Sequence, residues 1–204
     1  NIYGQELKRS LLSVISWTFS MLLLSMLFRS IFPAVAKDAG AMQEIISKFP
    51  QELIRALGLS TLDLSTVLGF YGFIFAYILL IGSVYAMKTG TSVLSEEVRA
   101  KTTDFLVAKP VSRTTIVTAK LMSVLTYIIL QDIIFTIGAF IIVNFAVHQS
   151  FAQGTFLLIN LSLFFVQLFF VALGMLIAVM LKKIKTVLPI TLGIVFGFFV
   201  IQML

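Results

Sequence analysis

The chain has 204 residues, 59% of them hydrophobic and 12% charged, with a mean hydropathy of +1.07; that balance excludes a water-soluble globular domain and leaves an integral membrane protein. The formal charge of +6 does not point to nucleic acid, because the basic residues gather at the ends of apolar runs and not along one face. The absence of cysteine and the single histidine exclude disulfides, a thiol nucleophile and a multi-histidine metal site.

Residues 1–10 carry Ile2, Leu7, Lys8 and Arg9, which predicts a short amphipathic lead-in on the membrane surface. The first span, 11–35, is built on the apolar run 11–28. At about 1.5 Å per residue that run falls short of a hydrocarbon core of about 30 Å, so the helix is expected to continue past Arg29 towards Pro33. No small-residue cleavage site follows, which argues against a signal peptide. Arg29 then lies near the far interface, where its long stem snorkels.

Residues 36–64 are polar enough to leave the membrane. They keep Met42, Ile45, Ile46, Phe49, Leu53, Ile54 and Leu57 at helical spacing, which predicts one or two amphipathic helices with Pro50 opening the second. This stretch either rests on lipid or on the spans, or takes part in gating or substrate contact. The second span, 65–87, carries Gly69, Gly72 and Gly82, small residues that let helices approach closely. The third, 114–147, is interrupted by Gln131 and Asp132 and exceeds bilayer thickness, so it tilts or protrudes, with Lys120 at the boundary. A turn near His148 leads to the fourth span, 155–181, which contains Asn160 and Gln167 and is closed by Lys182, Lys183 and Lys185. The fifth, 187–204, has Pro189 in its first turn and a face formed by Gly193 and Gly197. The fold class is therefore all-α, a polytopic helical membrane bundle forming one transmembrane domain.

Between spans two and three lies a segment, 88–113, too polar for lipid. Ser95 reads as an N-cap, Glu96 and Glu97 put negative charge at the positive end of a short separate helix, and Glu97 pairs with Lys101 at i,i+4. Thr102 and Thr103 interrupt that helix. Residues 104–109 form another turn or two with Phe105, Leu106 and Val107 projecting, Pro110 stops it, and Ser112 caps the next long helix. The product is an apolar knob on a charged base.

In order and spacing, Glu97, Thr102, Asp104, Phe105, Leu106, Val107, Pro110, Val111, Ser112, Arg113 and Lys120 make this segment resemble the cytoplasmic coupling region of permease subunits of type-2 ATP-binding-cassette exporters. Lys101 stands where that pattern has glycine and Asp104 where it has glutamate. The span layout extends the resemblance to nearly the whole chain. It implies two separate cytoplasmic ATPase subunits as partners, which hold ATP and Mg2+, a second permease copy or homologue, and contact with membrane lipids. It also implies a full protein with six spans, a sixth lying beyond the five here, and a coupling role for Glu96, Glu97, Lys101, Thr102, Asp104, Phe105, Leu106, Pro110 and Arg113.

Basic residues fix the expected orientation. Eleven flank the N-terminus, the central segment and the 182–185 link, whereas four, Arg29, Lys37, Lys48 and Arg55, lie on the other side; the first side is cytoplasmic. The expected location is a prokaryotic cytoplasmic membrane. No Gly-x-x-x-x-Gly-Lys-Ser/Thr motif occurs, so no ATPase site is expected in this chain and no cofactor of its own. Asp132, the one acid deep in an apolar run, marks with Gln131 and Arg29 either a substrate or ion path or a structural carboxyl bonded to a neighbouring helix. Gly193 and Gly197 serve contact between subunits or packing within one. An ion- or proton-coupled carrier or channel using Asp132, and a non-transporting scaffold, are the alternative functions.

Overall fold

A computed structural model describes residues 2–57, 59, 62–100, 113–147, 150–181 and 186–203. Among these residues there are seven helices and no strand: α1 (Ile2–Lys37), α2 (Ala39–Ser47), α3 (Gln51–Ala56), α4 (Val67–Ala100), α5 (Arg113–Ala146), α6 (Gln153–Met180) and α7 (Val187–Met203). The chain is an all-helical membrane bundle. Helices α1, α4, α5 and α6 are each long and apolar enough to cross a bilayer, while the apolar part of α7, Val187–Gln202, rises only about 24 Å.

The expected lead-in is not a separate element. It continues into the first span as one helix of 36 residues that also runs through Pro33, an exposed position, to Lys37. The outer amphipathic stretch divides at Pro50 as expected, with Pro50 as the N-cap of α3 and not its first residue. An exposed i,i+4 pair, Glu44 with Lys48 at 3.1 Å, holds the solvent face of α2.

The start of α4 is set by a compact turn. Thr66 Oγ1 accepts the Gly69 N–H at 3.1 Å, an N-cap bond, while its own hydroxyl donates to the Asp63 carbonyl at 2.8 Å. The Ser65 hydroxyl and then its backbone N–H donate to the Asp63 carboxyl and hold its pKa below the usual carboxylate range.

The separate short helix expected at Ser95 does not exist, because α4 runs unbroken for 34 residues to Ala100. Ser95 is buried inside it and donates its hydroxyl to the Thr91 carbonyl at 2.8 Å; Thr91 does the same to Met87. Each hydroxyl is satisfied one turn back along its own helix, so neither competes for an N–H and neither breaks the ladder. Ser112 and the knob residues Phe105, Leu106 and Val107 lie outside the described residues.

Helix α4 occupies the centre, in contact with α1, α5, α6 and α7. Its most extensive partner is α6, and α5 packs chiefly on α1. Glycine makes the α4–α6 approach possible: a Cβ at Gly90 would stand 2.4 Å from the Val171 carbonyl oxygen, and one at Gly174 2.6 Å from that of Met87. Consecutive in sequence, α5 and α6 touch each other far less than they touch these partners.

The interior has two apolar storeys. Phe28, Phe70, Tyr71, Phe135 and Phe156 belong to one, and Val14, Tyr85, Met87, Tyr127 and Phe170 to the other. Lys88 ties α4 to α1: its Nζ lies 5.8 Å from the Trp17 ring centroid and donates to Ser13 Oγ at 3.5 Å. The apolar span within α4, Val67–Ser95, rises about 44 Å, more than a hydrocarbon core of about 30 Å.

Candidate functional site

Between the two storeys, three facing helices contribute a polar layer. Gln167 of α6 donates from Nε2 to Gln131 Oε1 at 2.9 Å and to the Gly82 carbonyl of α4 at 3.4 Å, and both glutamines are fully buried. Gly82 admits this because a Cβ there would stand 3.0 Å from Gln167 Nε2. Nearer the other end, the Tyr71 hydroxyl donates to Asn160 Oδ1 at 3.0 Å while Asn160 Nδ2 donates to the Phe156 carbonyl at 2.8 Å. These bonds join α4, α5 and α6 where lipid offers no competing partner. Tyr71→Phe is expected to destabilise the bundle by about 1 kcal/mol, the usual size of one interhelical bond in a membrane. Reversible unfolding in mixed micelles, in a double-mutant cycle with Asn160→Leu, measures it; additive losses would deny the bond.

Gln131 and Asp132 are adjacent in sequence but part company in space. Gln131 faces the bundle interior, whereas Asp132 lines a groove of about 570 Å3 between α5 and α6. The α5 wall carries Ile129, Ile133 and Ile137, and the α6 wall Leu157, Leu158 and Leu161. The groove follows from the packing: the helix pair diverges onto different partners, and at its linked end Phe140, Phe151 and Phe156 cluster with ring centroids 5.8–6.2 Å apart. Both Asp132 oxygens are buried and lack a hydrogen-bond partner among the described residues. On the bundle side, Tyr85 lies beside Thr89 and within electrostatic reach of Tyr127 and Asp132.

The other sequence-derived sites separate clearly. Arg29 is exposed and makes no bond to Asp132. Among the described residues, nothing lies within 4 Å of a Cβ added at Gly193 or Gly197. Glu96 and Glu97 belong to the last turns of α4 and Arg113 begins α5. Lys101, Thr102, Asp104, Phe105, Leu106 and Pro110 lie outside the described residues.

Lys120 gains a role that its position at a span boundary did not disclose. Its side chain is 2% exposed, and Nζ donates to the Val93 carbonyl of α4 at 2.8 Å. This bond clasps α4 to α5 on the polar-segment side of Lys88. The available signal was the lysine's place a few turns into a long helix; nothing in the sequence identifies a backbone carbonyl as its acceptor.

No curated protein and no solved structure matches this chain. A match to the family model described as ABC-2 family transporter protein extends over residues 1–204, and the chain belongs to that family.

Proposed function

We propose that this protein is the membrane-spanning permease subunit of an ATP-driven ABC exporter. It moves a hydrophobic or amphiphilic substrate, such as a lipid-linked molecule, a membrane-active peptide or a drug, with energy from two separate cytoplasmic ATPase subunits. The observation that carries this reading is the length of α4 and α5. Each has 34 residues and rises about 51 Å, against a core of about 30 Å. Their facing ends therefore extend past the lipid, within reach of a soluble ATPase. Closure of the ATPase subunits on nucleotide pushes Glu96, Glu97 and the Phe105 knob, and the two long helices convey that push to the bundle. The open Gly193 and Gly197 face supports contact with a second permease copy.

In a pull-down from membranes holding the cognate ATPase, Glu97→Lys combined with Phe105→Ala is expected to reduce recovered ATPase about tenfold or more, the effect of losing a central anchor and reversing a contact charge. Unchanged recovery overturns the docking assignment, as does labelling of a cysteine at position 105 by an impermeant reagent from the external side alone. Asp132, whose oxygens have no partner among the described residues, favours a second reading, an ion- or proton-coupled carrier or channel. That reading requires gradient-driven transport in vesicles that contain no ATPase.

A further inference from the structure

The groove between α5 and α6 combines three properties. Its walls are apolar and partly open sideways, with Ile133 52%, Ile137 57% and Leu158 67% exposed. Its volume of about 570 Å3 lies within the usual range for small-molecule sites. Its one charged side chain, Asp132, stands in the groove wall with two covered oxygens that the described residues leave unsatisfied. Asp132 is about 18 Å along α5 from Lys120, so these oxygens lie within hydrocarbon depth, where an unanswered carboxylate is costly.

We propose that this groove binds a single-chain cationic amphiphile, its ammonium group on the Asp132 carboxylate and its chain between the Ile133–Ile137 and Leu157–Leu161 walls. An alkyl chain alone satisfies the walls and leaves the carboxylate bare. Once the Asp132 side chain turns into the groove, an ammonium group brings three N–H donors and a compensating charge to its oxygens, and the open side of the groove admits the ligand from the membrane. Depth selects the source: the phosphodiester of a phospholipid stays ionised and holds its amine at the headgroup level, whereas a free alkylamine enters hydrocarbon as the neutral base and takes its third N–H proton from the Asp132 carboxyl on arrival. The proposal deepens the permease reading, on which its description as a transport substrate rests, yet occupancy of the groove is measurable with no ATPase present.

The test uses the full-length protein in phosphatidylcholine nanodiscs, with diazirine-bearing dodecylamine and dodecanol as probes and mapping of the labelled peptides by mass spectrometry. The amine is expected to label 129–137 and 157–164 at a concentration about tenfold or more below that needed by the alcohol, the margin of a hydrogen bond to a charged group. Asp132→Asn is expected to erase the preference. Ile133→Trp, at a half-exposed position, is expected to reduce labelling by both probes, and it keeps the test standing should Asp132→Asn fail to fold. Equal labelling by amine and alcohol overturns the proposal, as does a preference that survives Asp132→Asn. It is also overturned if the amine is excluded while cysteines at position 133 crosslink between two copies, since a second chain then fills the groove. Loss of amine labelling with ATPase recovery intact refutes this proposal alone, and the reverse refutes the permease reading alone.

Discussion

Gly174→Leu is expected to lower the stability of the bundle by about 3 kcal/mol or more, the upper end for overpacking, because the atoms it would strike belong to backbone. An added Cβ already stands 2.6 Å from the Met87 carbonyl oxygen and 2.9 Å from the Thr91 nitrogen; the reciprocal position, Gly90, faces the Val171 carbonyl oxygen and Cα at 2.4 and 2.9 Å. A side-chain neighbour can rotate aside, but these atoms move only if α4 and α6 separate. Because α4 also contacts α1, α5 and α7, that separation disturbs every other long helix. In the monomer isolated in detergent, where the proposed contact with a second copy is not made, Gly193→Leu supplies the control, as nothing lies within 4 Å of its added Cβ. Thermal unfolding in detergent should show Gly174→Leu melting well below wild type and Gly193→Leu close to it. Equal melting of the two variants would sink the argument.

The contrast between those glycines shows where the sequence stops being informative. Apolar runs declare the spans, since length and hydropathy depend on each segment alone, and four of the long helices fall where those runs predict. A Gly193-x-x-x-Gly197 face looks like a helix contact, yet the close crossing of α4 and α6 uses Gly90 and Gly174, which are 84 residues apart in sequence. Local spacing states that close approach is allowed. Only the path of the chain states which helix arrives.

Polar residues divide in the same way. Asn160 and Gln167 stand out in the fourth span, but their partners Tyr71 and Gln131 are 89 and 36 residues away. Asp132 is legible as costly, whereas its separation from Gln131 onto a different face depends on α5 packing against α1. Ser95 misleads for a local reason. A serine ahead of two glutamates fits an N-cap, and the same hydroxyl fits equally well against the carbonyl one turn back, the arrangement adopted here once Val93 and Thr91 are buried.

Lys120→Glu is expected to be the most damaging single substitution on the polar-segment side of the bundle. The wild-type ammonium is almost fully enclosed and gives a proton to the Val93 carbonyl at 2.8 Å, across 27 residues of chain that include the proposed docking segment. A carboxylate in its place would set acceptor against acceptor and bury a charge of the wrong sign, a change of about 3–5 kcal/mol by analogy with buried ion pairs left with one member. Lys120→Met retains the apolar stem and removes the donor, and it should cost about 1 kcal/mol, because the carbonyl can still accept along its own helix. The two variants separate packing from polarity. If Lys120 clasps α4 to α5, amide exchange in 93–97 and 116–121 should accelerate strongly in Lys120→Glu and slightly in Lys120→Met, with melting temperatures in the same order. Wild-type exchange and melting in Lys120→Glu would mean that the clasp is dispensable, and a push on the segment between α4 and α5 would have to reach the bundle through the packed apolar faces alone.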